Sequence, residues 1–356
     1  MANDRIRPGK VWLDTDGKRI QAHGGSMMYV DGKFYWYGEN KEKTVPGTNV
    51  WHYGVRLYSS DDLYNWKDEG LIVKPVEDRV SPLNPSRIMD RPHIIFNKKT
   101  GKFVMWMKFA GTDAQHDDWD TSSMGIAVAD SIKGPFELIN NIFPTGYNAG
   151  DFDLVVNEEN GKAYIYYEKP HTELICAELN DDYTDVNGVF TSHFHNGTPP
   201  FIREAPAFFK RKGKLYLLTS GTTGYFPNPS EIAEADDYHG EWKVLGDPCV
   251  NDVKKNSFHA QFASVFKHPL IEDLYIALGD RWLTDLPDDM PDICKNFEIL
   301  FSGDPNAVPL MSAAEMNALS AQNTSLADYV WLPIRFKDDK PYIEWRDEWT
   351  VEEFKK

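Results

Sequence analysis

The feature that most constrains this chain is a unit repeated five times: a short strand, a tight turn and a second strand, mostly aromatic-rich. Residues 26–30 pass through Asp31-Gly32 into Phe34-Tyr35-Trp36-Tyr37. Residues 93–96 pass through Gly101 into Phe103-Val104-Met105-Trp106. Residues 152–156 pass through Asn160-Gly161 into 163–167, and residues 205–209 through Gly213 into 215–218. Residues 262–266 pass through His268-Pro269 and Asp273 into 274–278. An Asx-Gly pair between such runs is a strong short-range hairpin signal. Third strands are expected at 55–59, 124–129, 174–179, 231–235 and 329–334, and outer strands follow several of them. Five such units predict an all-β chain folded as one five-bladed β-propeller over residues 1–356. A two-sheet sandwich is the rival, and it gives no reason to repeat one unit five times.

One stretch breaks the repeat. Between Trp282 and Tyr329, at about 283–327, lies an insertion in the fifth blade with a helical run, Ser312-Ala313-Ala314-Glu315-Met316-Asn317-Ala318-Leu319. Loops this long are functional or loosely ordered. Packing on the rim is the preferred reading, and a flap over the channel mouth is the alternative. Residues 342–345 and 10–13 are candidates to pair where the ring closes.

In a propeller the first strand of each blade lines the central channel. Polar residues at the beginnings of those strands therefore converge, though they are far apart in sequence. They are His23-Gly24-Gly25, Asp90, Asp151, Glu204 and Gln261 for blades one to five. Glu39 and Asn40 end the second strand of blade one and are placed to reach the same space. Among these, Arg203-Glu204-Ala205-Pro206-Ala207 sets a carboxyl group at the mouth of an apolar strand. There a carboxylic acid can be kept neutral at neutral pH, so Glu204 reads as the proton donor of a hydrolase. Strand alternation sends Arg203 to the opposite side. Any one of these acids taken alone is better read as a turn cap. The set reads as a site, because clustered carboxyl groups are costly unless used. Several of them around one cavity is what glycoside hydrolysis needs: a donor for the leaving oxygen, and a partner opposite that activates water.

Composition narrows the ligand. The net charge of -17 disfavours nucleic acid and anionic membranes and favours a neutral substrate. The aromatic fraction of 13% suits both sheets and sugar-stacking surfaces. Cys176, Cys249 and Cys294 form neither a disulfide framework nor a zinc pattern. A polar N-terminus and the lack of a long apolar run lead to the expectation of an intracellular protein as given, or an exported one if the chain has been trimmed. The acidic loop with Asp113, His116, Asp117, Asp118 and Asp120 reads as solvated rather than metal-binding, and His259 as structural. Asn196-Gly197-Thr198 and Asn323-Thr324-Ser325 match the glycosylation sequon, which has meaning only in a secreted protein. No cofactor motif is present.

The segments Tyr35-Trp36-Tyr37-Gly38-Glu39, Asp90-Arg91-Pro92, Arg203-Glu204-Ala205-Pro206-Ala207, Gly224-Tyr225-Phe226-Pro227-Asn228, Gly279-Asp280-Arg281-Trp282 and Tyr329-Val330-Trp331-Leu332-Pro333 resemble glycoside hydrolase family 43, in its exo-β-1,3-galactanase-like branch. The resemblance runs from about Val11 to Trp349 apart from the insertion. It implies an inverting hydrolase with Glu204 as general acid and Asp151 as the carboxylate that raises the acid's pKa. Where most of that family carries a blade-one Asp as general base, this chain has Gly24-Gly25-Ser26. The branch shares that absence and implies a Gln from blade five, which Gln261 matches. A neutral amide is a poor base, so Gln261 is expected to position the water. Asp90 stands where the branch has Glu, and Tyr225 where it has Trp, placed to stack on a sugar face. Glu39, Asn40, Asp90, Tyr225 and Arg281 are thus the expected substrate contacts. The expected ligand is an oligosaccharide or polysaccharide ending in β-linked galactose. The rivals are an α-L-arabinofuranosidase or β-xylosidase of the same family, and a non-catalytic glycan-binding propeller.

Overall fold

The computed structural model describes residues 3–111, 121–195, 197–321 and 323–355. It contains five four-stranded antiparallel sheets, each built from strands consecutive in sequence. The first is β1 (His23–Val30), β2 (Lys33–Glu39), β3 (Val55–Ser60) and β4 (Lys67–Val73). The second is β5 (Ile88–Asn97), β6 (Lys102–Ala110), β7 (Ser122–Ala129) and β8 (Glu137–Ile142). The third is β9 (Phe152–Val156), β10 (Ala163–Lys169), β11 (Glu173–Leu179) and β12 (Val186–His193). The fourth is β13 (Arg203–Arg211), β14 (Lys214–Gly221), β15 (Glu231–Ala235) and β16 (Lys243–Gly246). The fifth is β17 (Gln261–Lys267), β18 (Tyr275–Arg281), β19 (Asp328–Lys337) and β20 (Lys340–Ile343). The inner strands β1, β5, β9, β13 and β17 pack each on the next and the last on the first. The chain is a five-bladed β-propeller. The acidic loop around Asp113 and the sequon residue Asn196 lie outside the described residues.

The turns explain the registers. Asp31 and Gly32 both have positive φ, 49° and 82°, so Val30 pairs with Lys33 across a two-residue hairpin. Lys212 and Gly213 repeat this with φ of 49° and 84°. The positive φ pair matches the right-handed twist of the flanking strands. Middle strands such as β6 are buried almost throughout, because each blade packs a neighbour on both faces. Apolar clusters accordingly fill each gap between blades, with Trp36, Trp66 and Trp331 between blades one and five. Burying an aromatic side chain of that size stabilises by roughly 2–3 kcal/mol.

The ring does not close through the expected pairing of 342–345 with 10–13. Ile6 pairs with Trp349, while Ile343 bridges to Cys249. Trp12 instead meets Trp331 edge-on at 4.8 Å and Trp36 at 5.8 Å. Closure is thus mostly aromatic packing, which strand periodicity does not reveal. The insertion holds α1 (Ile293–Phe301) and α2 (Ala313–Ser320). Ser312 caps α2 by accepting from Glu315 N, and the Glu315 side chain returns to Ser312 N, a complete capping box. Trp282, Phe226 and Met316 bury against one another beneath it. No helix among the described residues is long and apolar enough to cross a membrane.

Candidate active site

Four of the inner strands carry a β-bulge near the mouth: between His23 and Ser26, Asp90 and His93, Glu204 and Ala207, and Phe262 and Ser264. In the first three the residue after the mouth position is left-handed, Gly24 at φ 57°, Arg91 at 52° and Ala205 at 47°. A bulge re-aims the preceding side chain, and a proline, Pro92 or Pro206, follows where the ladder needs no donor. The result is a cavity of about 720 Å³ lined by Glu39, Asp90, Asp151, Glu204 and Gln261. Its volume falls within the range of small-molecule sites.

Glu204 is buried, and Gln261 Nε2 donates to its Oε1 at 3.0 Å. Burial first, then the charges of Asp151 and Glu168, push its carboxyl well above the usual range against the opposing pull of Arg91 and Lys108. Asp151 behaves in the opposite way. Burial pushes it up, but Arg91 and Lys108 outweigh that and bring it down to about 2. Arg91 Nη2 lies 2.7 Å from Asp151 Oδ2, and Lys108 Nζ donates to Oδ1 at 2.7 Å. Lys108 also pairs with Asp90 at 3.1 Å. Two carboxyl groups in one pit are therefore pushed in opposite directions, Glu204 toward the neutral form and Asp151 toward the ionised one.

Gln261 is held at both ends. Its Nε2 also donates to Ser220 Oγ at 2.9 Å, and its Oε1 accepts from Arg91 Nη2. Glu39 accepts from Arg91 N at 3.2 Å and pairs with the buried Lys41 at 3.1 Å. Burial, aided by Asp90 and opposed by Lys41, raises Glu39 to about 8. Glu39 also explains the glycine at the mouth of blade one: a Cβ on Gly24 would sit 2.8 Å from Glu39 Oε1. Tyr225 stands beside Trp51, with ring centroids 6.4 Å apart and planes 21° off parallel, and beside Trp282 at 5.3 Å. These rings form an aromatic wall. Phe297, Leu300, Phe301 and Met316 of the insertion line the same cavity, so α1 and α2 form part of its wall rather than packing only on the rim.

Two expected contacts lie elsewhere. Asn40 is buried in its own loop, where Nδ2 reaches Tyr53 O and Oδ1 accepts from Glu42 N. Arg281 is not on the cavity wall. It donates to the backbone oxygens of His259, Phe258 and Gly9. Arg203 also points away, bonded to Thr219. His23 stacks on Tyr329 and pairs with Asp280 rather than entering the cavity. A larger open groove of about 1350 Å³ lies over Asp252, His259 and Trp345, but none of Glu204, Asp151 and Gln261 lines it, so size alone does not locate the site.

Sequence reading missed Arg91, Lys108 and Glu168, which line the pit, and Lys41, which pairs with Glu39. A signal existed for one of them: Lys108 interrupts the apolar run of β6, and a lysine is seldom buried unless paired.

Five blades around a pit that gathers carboxyl groups and aromatic faces is the arrangement of a propeller glycosidase. The profile of "Glycosyl hydrolases family 43" matches residues 19–276, and the chain belongs to that family. A β-1,3-galactosidase of the family superposes with a TM-score of 0.79 at 30% identity, over 99% of this chain and 64% of that one. A second β-1,3-galactosidase, with galactodeoxynojirimycin, gives 0.77 at 30% identity over 97% and 100%. The exo-β-1,3-galactanase of Clostridium thermocellum gives 0.74 at 25% identity over 97% and 66%. A putative β-xylosidase of Escherichia coli (strain K12) is 28% identical over 189 residues, 50% of this chain and 33% of that protein. The chain thus spans about a third of that curated relative.

Proposed function

We propose that this protein is an exo-acting, inverting glycoside hydrolase that releases a terminal β-linked galactose from galactan- or arabinogalactan-type chains. The observation that carries the reading is the meeting of Glu204, Asp151 and Gln261 in one pit, with Gln261 Nε2 donating to Glu204 and both Asp151 oxygens facing cations. Glu204 donates its proton to the leaving oxygen. Gln261 donates to Oε1, so Oε2 is the oxygen left to carry that proton. Asp151 holds the proton on Glu204 by its charge and is itself a weak nucleophile, since both its oxygens face cations. That supports direct attack by water, and so inversion, over a covalent intermediate. Gln261 Oε1 orients the water or a sugar hydroxyl. As the water oxygen bonds to the anomeric carbon, its proton passes to Asp90, whose carboxylate burial pushes up but Lys108 and Lys41 hold below its usual range. Glu39 faces a sugar hydroxyl. Tyr225, Trp51 and Trp282 offer faces to a sugar ring.

The galactose assignment is supported by the two β-1,3-galactosidases at 30% identity. The xylosidase-like relative supports the second reading, a pentosidase of the same family. Proton NMR of fresh digests decides between them. β-1,3-galactobiose and nitrophenyl glycosides of galactose, xylose and arabinofuranose are incubated with the enzyme. The proposal expects galactose, first seen as the α-anomer. Pentose release, or galactose first seen as the β-anomer, contradicts it. No turnover over the whole panel supports a glycan-binding propeller.

A further inference from the structure

The segment that delivers Gln261 is held in a conformation its own residues disfavour. Ser257, Phe258 and His259 have φ of 55°, 59° and 60°, and Lys255 just before them 53°. Three successive left-handed residues with side chains amount to one turn of left-handed helix, in which each Cβ crowds the following carbonyl oxygen. Such a turn persists only where its surroundings fix it.

Its partners can be followed group by group. Asp252 Oδ2 accepts from Asn256 N at 2.7 Å and from Phe258 N at 3.3 Å. Asn256 Oδ1 accepts from His259 N at 2.9 Å. Ser257 Oγ donates to Asn228 O at 2.7 Å. The last two carbonyls of the turn go to one side chain. Arg281 Nη2 donates to Phe258 O at 3.0 Å, and Arg281 Nε to His259 O at 3.2 Å. The rigid fork of a guanidinium can hold two adjacent peptide oxygens in one orientation, which a lysine cannot do. Trp345 backs both sides of this contact, at 5.7 Å from the guanidinium and 5.8 Å from the Phe258 ring. The N-terminal segment covers it, for a Cβ on Gly9 would meet Arg281 Nη1 at 2.4 Å. Two residues beyond the turn, Gln261 opens β17 and pairs with Asp280, the neighbour of Arg281.

We infer that Arg281 is a positioning residue. It acts through the left-handed turn at 257–259 on Gln261, and so on the side chain that bridges Arg91 and Glu204. The inference rests on the role proposed above for Gln261. Without the guanidinium the Phe258 and His259 carbonyls lose their shared donor. Only the Asp252, Asn256 and Ser257 bonds are left to hold the disfavoured turn, and the strand mouth that carries Gln261 shifts with it. Misplacement by about 1 Å at a reacting centre costs on the order of 100-fold in rate.

A double-mutant cycle separates this from a role in fold stability alone. R281M, Q261A and R281M/Q261A are compared with wild type for kcat, KM and Tm on the glycoside that wild type cleaves. R281M is expected to lower kcat by about 10- to 100-fold with little change in KM. In the Q261A background it is expected to change kcat by less than about twofold, because the route runs through Gln261. Replacing His259 by Gly in the R281M background should restore part of the loss, since glycine accepts a left-handed φ freely. Equal fold losses with and without Gln261, or a rise in KM with kcat unchanged, overturn the inference. Q261A turning over at the wild-type rate overturns the role of Gln261 first. Should R281M not fold, R281K is put through the same cycle. A crystal structure of either Arg281 variant gives an activity-independent test. Residues 257–259 still left-handed, with Gln261 still on Arg91, would refute the inference.

Discussion

Changing Glu204 to Gln removes a proton and little else. Gln261 Nε2 donates to Glu204 Oε1 at 3.0 Å, and a carboxamide oxygen accepts the same bond in the same volume. What is lost is the acidic proton on the other oxygen. General acid catalysis contributes about 10²- to 10⁴-fold, so kcat for β-1,3-galactobiose should fall by that factor. In barrier height this is roughly 2.7–5.4 kcal/mol. A dinitrophenyl galactoside departs without help from a proton, and there the loss should be about tenfold or less. The assay is kcat for both substrates, each across pH. In wild type the alkaline limb reports deprotonation of Glu204, and it should lie above the usual carboxylate range, because burial and then Asp151 raise that group. The variant should lack this limb. Stability follows the same sign. A carboxyl raised in the folded state contributes fully below its unfolded pKa and costs stability as pH rises toward the folded value. The Gln variant should therefore unfold at a Tm no lower than wild type at neutral pH. Equal losses with both leaving groups, or undiminished cleavage of the disaccharide, would refute the assignment of Glu204 as proton donor.

Three further outcomes are expected. In Asp151→Asn the charge that raises Glu204 is gone while Arg91 and Lys108 still lower it, so the alkaline limb of kcat/KM should move to lower pH. The same variant should lose an acid-side feature of the unfolding profile. Wild-type Asp151, held at about 2 against an ordinary 3.8, contributes stability above that ordinary value and loses it as pH falls toward 2. Lys108→Met should destabilise by about 3–5 kcal/mol in urea unfolding, because it leaves Asp90 and Asp151 buried with one cation fewer. A loss below about 1 kcal/mol, the scale of a surface pair, would show that the three charges are better solvated than their burial indicates.

Much of the architecture was legible because it is local. The Asp31-Gly32 and Asn160-Gly161 turns each fix a hairpin within a few residues, and five such hairpins leave few folds open. Glu204, Asp151, Asp90 and Gln261 were legible for a different reason. Position at a strand mouth implies convergence once the ring is assumed, and the structure gathers all four in one cavity. Arg281 and Asn40 share that kind of position at strand ends and still miss the cavity, because position does not say which way a side chain turns. The bulges at Asp90 and Glu204 leave no mark in periodicity beyond a proline two residues on. Arg91 is hidden inside the Asp90-Arg91-Pro92 motif, and its left-handed φ of 52° has no signature in a non-glycine residue. The helices of the insertion were half visible. The Ser312 and Glu315 capping box announces α2, but the packing of Phe297 and Met316 over the pit depends on contacts with Trp282 and Phe226 that no local pattern encodes.

Everything proposed for catalysis requires Glu204 to stand uncharged in the pit at neutral pH. Infrared difference spectra of wild type minus the Glu204→Gln variant, recorded through a pH titration, test it most directly. The expected spectrum shows the carbonyl band of a protonated carboxylic acid at pH 7, fading only at more alkaline pH. A carboxylate band already complete at pH 7 would contradict it.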